Sequence, residues 1–74
     1  MQQVDQNILD LTINGERRTL AGRPTVAELL ASLGLDIRKV AVERNEEIVR
    51  RADYAATVLA SGDAIEIVHF IGGG

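Results

Sequence analysis

The chain closes on Gly72, Gly73 and Gly74, and the group with the clearest chemical use is the carboxylate that such an ending leaves free. The residues before it, Ala64 to Ile71, read Ala-Ile-Glu-Ile-Val-His-Phe-Ile. Ile65 and Ile67 alternate with Glu66 and Val68, the two-residue period of a half-buried strand. Glycine brings no side chain to a core and loses the most entropy when ordered. A packed strand therefore runs into a segment that cannot pack, and residues 72–74 are expected to form a flexible tether presenting its carboxylate. Other groups able to do chemistry are few: one His (His69), one Tyr (Tyr54), no Cys and no Trp. Disulfides and thiolate metal sites are excluded, and a lone His69 has no second His or Cys with which to share a metal. No nucleophile, base and metal come together in the sequence. The expectation is a protein acted on by enzymes, not an enzyme, with no bound cofactor.

Presenting a carboxylate this way needs a small rigid body, and the 74 residues supply one domain. Residues 1–7 are polar apart from Met1 and Val4 and read as a flexible extension. Residues 8–71 hold the elements. Leu9, Leu11 and Ile13 share one face of a first strand, with Asp10 and Thr12 on the other. Asn14-Gly15 marks a type I′ hairpin turn, whose central residues need positive φ. Glu16 to Ala21 returns as a charged strand suited to a sheet edge. Thr25-Val26-Ala27-Glu28 is a capping box. Val26, Leu29, Leu30 and Leu33 then form one helical face, which Gly34 ends in a left-handed cap.

Val40 and Val42 mark a third strand, Asn45-Glu46-Glu47 a turn, and Ile48-Val49 a short fourth strand. Residues 51–59 are expected to make an irregular stretch with a short helical turn, dropping Leu59 and Tyr54 onto the core. Gly62-Asp63 turns into the last strand. That strand is apolar on both sides, Ile65 and Ile67 against Val68 and Phe70, which places it centrally in the sheet. One helix across one mixed sheet buries both apolar faces, an α+β fold.

Composition narrows the partners. The formal charge is −3, against a nucleic-acid backbone as partner. No apolar run is long enough to span a membrane, and the N-terminus lacks the basic and apolar regions of a signal peptide. A cytoplasmic location is expected.

Thr12-Ile13-Asn14-Gly15-Glu16, Thr25 to Leu30, and Gly62-Asp63 with Ile65-Glu66-Ile67 and the closing Gly-Gly resemble the ubiquitin-like sulfur carriers. The closest likeness is to the thiamin-biosynthesis carriers, the ThiS family within the ThiS/MoaD superfamily, and it covers residues 8–74. The resemblance implies a ubiquitin-like β-grasp, a mixed sheet of four to five strands packed on one helix. It implies that an E1-like adenylyltransferase uses ATP to adenylate the Gly74 carboxylate. A persulfide-bearing sulfur-donor protein then supplies sulfur, and the resulting thiocarboxylate serves thiazole synthase. Gly72 and Gly73 would thread into the partner, where a Cβ would meet the channel walls. The family pattern has Asn-Gly after the third strand and this chain has Asn45-Glu46. Glutamate at positive φ is costly, so this turn is expected to take another form.

Val68, Phe70 and Ile71 are expected on the open face of the sheet, an apolar docking patch at the root of the tail. The alternative places Phe70 over the sheet edge as core. Asp63 and Glu66 are candidate contacts for basic residues of the activating enzyme, or a solvated turn and strand face. Two other functions stand beside the thiamin carrier. One is the small subunit of molybdopterin synthase. The other is a non-covalent β-grasp binding module, which has no need of a free Gly-Gly.

Overall fold

The structure, a computed structural model, describes residues 8–70. The extension expected over residues 1–7, Ile71 and the tail at 72–74 lie outside the described residues. Strands β1 (Ile8–Ile13) and β2 (Glu16–Ala21) pair antiparallel through Asn14 at φ 51° and Gly15 at φ 83°. This is the hairpin that Asn-Gly encodes. Helix α1 (Val26–Ser32) opens on the expected box: Thr25 is the N-cap, its hydroxyl accepts from the Glu28 amide, and the Glu28 carboxylate accepts from the Thr25 amide. Gly34, at φ 75°, follows the C-cap Leu33.

A 3-10 turn (Ile37–Lys39) leads into β3 (Val40–Arg44), which pairs antiparallel with β4 (Glu47–Val49). Glu47 thus belongs to the strand, and Asn45 and Glu46 alone make the turn. A second 3-10 turn (Arg51–Asp53) and an extended segment precede β5 (Ala64–His69). The sheet has five strands in the order β2-β1-β5-β3-β4. β5 is parallel to β1 and antiparallel to β3, so it is central as expected. This is the β-grasp arrangement implied by the resemblance.

The core lies between the helix and one face of the sheet. Leu11, Ile13, Val40, Val42 and Ile65 from the strands meet Val26, Leu29 and Leu30 from the helix, with Tyr54 and Leu59 closing one side. Each such side chain contributes about 1.5–3 kcal/mol through burial. The Tyr54 hydroxyl donates to the Val40 carbonyl at 3.4 Å, which gives the ring's polar end a partner. Among the described residues no helix is long and apolar enough to cross a membrane.

The Asn45-Glu46 turn corrects the expectation. It keeps the I′ form, with Asn45 at φ 54° and Glu46 at φ 70°. The Asn45 amide N–H donates to the Ala64 carbonyl at 2.8 Å, and its side chain bonds both Asp63 and Ala64. These bonds fix Asn45, and Glu46 must follow into the left-handed region at a cost of about 1–2 kcal/mol. Glu46→Gly is therefore expected to raise stability by about 0.5–1 kcal/mol in denaturant titration, since glycine adopts this φ without strain. An unchanged or lowered midpoint would contradict the account.

Candidate functional site at the exit of the last strand

β5 is the element that delivers the chain to its closing glycines, and it is gripped on both edges. On the β1 side the Thr12 amide donates to the Asp63 carbonyl at 3.0 Å and the Asn14 amide to the Ile65 carbonyl at 2.8 Å. Beyond the end of β1 the Asn14 side chain takes over as a backbone mimic. Its Oδ1 accepts from the Ile67 amide at 2.7 Å and its Nδ2 donates to the Ile67 carbonyl at 3.2 Å. On the β3 side the ladder runs from Arg44↔Ile65 to Val40↔His69, and the Phe70 amide donates to the Lys39 carbonyl at 2.9 Å. The two turn asparagines thus each hold the last strand, a role that sequence reading assigned only to turn geometry. The chain leaves the sheet beside Lys39 and Val40.

The start of the same strand is anchored by Asp63, and here the structure corrects the sequence reading. Asp63 is only 6% exposed, so it is neither a solvated turn residue nor a carboxylate free to meet a partner. Its Oδ2 accepts from Arg44 Nε at 2.8 Å and the Ala60 amide at 2.9 Å, and its Oδ1 accepts from Asn45 Nδ2 at 3.0 Å. Burial works to raise its pKa. The hydrogen bonds from Arg44, the Ala60 amide and Asn45, with the Arg44 charge, outweigh it and hold the carboxyl below its ordinary value.

Glu66, Val68 and Phe70 fall on the opposite face of β5 from Ile65 and Ile67. Val68 is 58% exposed and Phe70 55%, so Phe70 is not folded into the core. The two-sided apolar pattern of the strand therefore has two causes: one face packs on the helix and the other is left open to solvent. Ala41 pairs with Val68 across the ladder, and Glu43 pairs with Glu66. Ile48, opposite Glu43 on β4, is 75% exposed and extends the apolar surface. Sequence reading missed it, although alternation in Glu47-Ile48-Val49 requires one of the two apolar residues to face out.

His69 is exposed on the helix side of the strand, since its ladder partner Val40 is a core residue. Ile71, Gly72, Gly73 and Gly74 lie outside the described residues. Shallow open depressions on the sheet meet at Asp10 and Arg17, near Gly62 at the start of β5 and away from the exit. There Arg17 is already engaged by Asp10 at 2.8 Å. Among the described residues no three His, Asp or Glu side chains gather as a metal site. The arrangement is one of presentation: a clamped central strand, an open apolar face beside it, and an exit toward three glycines.

One helix across this five-stranded sheet, with the last strand central and leading to Gly-Gly-Gly, defines a ubiquitin-like β-grasp domain. Comparison with known proteins narrows the class. A model of the ThiS family matches residues 11–74, and the chain belongs to that family. It is 50% identical over 50 residues to the sulfur carrier protein ThiS of Bacillus subtilis, covering 68% of this chain and 76% of that protein. The crystal structure of the thiamine biosynthesis protein ThiS from Geobacter metallireducens is similar at a TM-score of 0.77. The identity there is 39%, over 89% of this chain and 100% of the other. A thiazole synthase of Paramagnetospirillum magneticum is 54% identical over 66 residues, which is 89% of this chain. The chain spans only 20% of that synthase's length.

Proposed function

We propose that this chain is the sulfur carrier of thiamin biosynthesis and that Gly74 bears the sulfur. The observation that carries the reading is the exit geometry: a central strand, hydrogen-bonded on both edges, aims the chain from Phe70 into Ile71-Gly72-Gly73-Gly74. Family membership supports it, since relatives bear the name sulfur carrier protein ThiS.

A carboxylate is a poor electrophile because it is already an anion. An E1-like enzyme removes that obstacle when a Gly74 carboxylate oxygen attacks the α-phosphorus of ATP and pyrophosphate leaves. The acyl-adenylate now has AMP as a leaving group. The outer sulfur of a protein persulfide attacks the carbonyl carbon, and AMP departs. A second thiol cleaves the resulting S–S bond and leaves the thiocarboxylate on Gly74. Glycine at 72–74 lets the backbone pass close to the walls of a partner's channel. The carrier contributes the reacting group and its delivery, and the enzymes contribute catalysis.

Thiazole synthase is the proposed acceptor. The similarity of 66 residues here to part of a protein named thiazole synthase favours it over molybdopterin synthase. The thiocarboxylated carrier should be consumed by thiazole synthase and left intact by molybdopterin synthase, as read by the mass of the carrier before and after each incubation. Consumption by the molybdopterin enzyme alone would reverse the assignment.

Docking is assigned to the open face, with Val68 and Phe70 at its centre and Glu66 and Ile71 beside them. Phe70→Ala is expected to weaken the complex with the activating enzyme by about 2 kcal/mol, roughly thirtyfold in Kd. The melting temperature should hardly move, because the ring is exposed in the free protein. A large fall in melting temperature with unchanged Kd would return Phe70 to a structural role.

A further inference from the structure

Four of the eight basic residues form ion pairs among the described residues: Arg17 with Asp10, Arg18 with Glu16, Arg38 with Asp36 and Arg44 with Asp63. Of the other four, only Arg23 lies elsewhere. Lys39, Arg50 and Arg51 meet at one corner of the fold, and it is the corner from which the chain leaves the sheet. Lys39 accepts the Phe70 amide on its carbonyl at 2.9 Å. The Arg51 guanidinium donates to the Arg38 carbonyl at 3.5 Å, and the Tyr54 hydroxyl to the Val40 carbonyl at 3.4 Å. These bonds hold the segment from Arg51 to Tyr54 against the start of β3. Arg50 directly follows Val49, the ladder partner of Val42. All three cations are exposed. The nearby Asp53 forms no ion pair with them.

Three cations gathered on a chain of net charge −3 repel one another, and none of them forms an ion pair among the described residues. Asp36, already paired with Arg38, attracts Lys39 only as a minor influence. They lie at the β3 side of the strand end from which the chain leaves, Lys39 next to Phe70 and the two arginines across β3 from it. From Phe70 the four residues 71–74 reach at most about 14 Å. A reacting carboxylate at full reach is therefore well beyond side chains anchored at the root, and those side chains face the rim of whatever cleft the tail enters.

We propose that Lys39, Arg50 and Arg51 form a basic collar that docks on carboxylates at the mouth of the activating enzyme's cleft and turns the acidic carrier tail-first. The inference rests on reading residues 71–74 as the reactive tail. Charge at an interface rim acts mainly on the association rate and its salt dependence. A local positive pole on an acidic molecule also orients its approach.

The test is stopped-flow association of the full chain with its E1-like adenylating enzyme, over a range of ionic strength. Formation of the thiocarboxylate is followed in parallel. The triple variant Lys39→Gln, Arg50→Gln, Arg51→Gln should associate at least about tenfold more slowly at low salt. The difference from wild type should close near 1 M salt, where the screening length is about 3 Å. Arg51→Lys, which keeps the charge, should behave as wild type. An unchanged rate and salt slope in the triple variant, with wild type still converted, would overturn the collar and leave the carrier reading standing. An unchanged rate with a raised KM for ATP would assign the cations to the nucleotide and equally overturn it. Failure of wild type to be converted would remove the carrier reading and the collar together.

Discussion

Deleting Gly74 is expected to abolish thiocarboxylate formation while leaving the melting temperature unchanged. Gly74 has no side chain to bury, and the buried core of the described residues runs from Leu11 to Ile65. The stability of the domain therefore does not depend on the last glycine. On the proposed reading the chemistry does depend on it, because the acyl carbon that would carry AMP and then sulfur is that of Gly74, and the carboxylate that deletion leaves on Gly73 falls one residue short. Gly74→Trp should have the same effect by another route: the carboxylate remains, but its side chain cannot follow the backbone into a narrow cleft. Sulfur loading of the deletion variant at the wild-type rate would show that the Gly73 carboxylate serves equally well and would contradict the requirement for Gly74.

Asp63→Ala is expected to cost about 3 kcal/mol. The change removes one carboxylate but strands three donors: Arg44 Nε, Asn45 Nδ2 and the Ala60 amide. Hydrogen bonds to a charged group are worth about 1.5–3 kcal/mol each, and a lost partner leaves the remaining groups to carry their desolvation. Arg44 retains some access to solvent, which limits its share. A chain of this size has about 4–11 kcal/mol in total, so the melting temperature should fall by roughly 15 °C. The beginning of β5 should loosen first, visible as faster exchange of the Thr12 amide, which is bonded to the Asp63 carbonyl. A loss below about 0.5 kcal/mol would show that the network contributes no net stability.

The same residue predicts a pH dependence. Its folded pKa lies below the ordinary 3.8, so the unfolded chain binds the proton more tightly. The stabilisation is complete above the unfolded value and is lost as pH falls through the folded one. Asp36, held at about 2 by its hydrogen bonds from Arg38, is a second carboxyl lowered below the ordinary value, on the surface. Comparison with Asp63→Asn separates the two: the stability gap between wild type and variant should be widest above roughly pH 5 and narrow on acidification. A gap independent of pH would assign the effect to shape alone.

The elements encoded by local chemistry were legible from the sequence. Asn14-Gly15, the capping box of Thr25 and Glu28, Gly34, and the alternation in β1 and β5 each specify a conformation within a few residues of themselves. The position of β5 was also legible, but for an incomplete reason. Its second apolar face is open, and only the neighbouring strands show that Val68 and Phe70 have nothing above them among the described residues. Asp63 was misread because its partners are distant in sequence: Arg44 and Asn45 come from a different hairpin and meet it only when β5 inserts beside β3. The turn at Asn45-Glu46 was misread for the same reason. Propensity at Glu46 argued for another form, and long-range bonds to Asn45 overrode it. The basic corner combines residues from two separate 3-10 segments, so no run of charge announced it.

The measurement that bears most directly on the carrier reading is the intact mass of the purified chain before and after incubation with ATP, its E1-like enzyme and a persulfide donor. The expected result is a gain equal to replacing one oxygen by sulfur, localised to Gly74 by fragmentation and absent without ATP. An unchanged mass, in the presence of an enzyme that loads its own carrier under the same conditions, would contradict it.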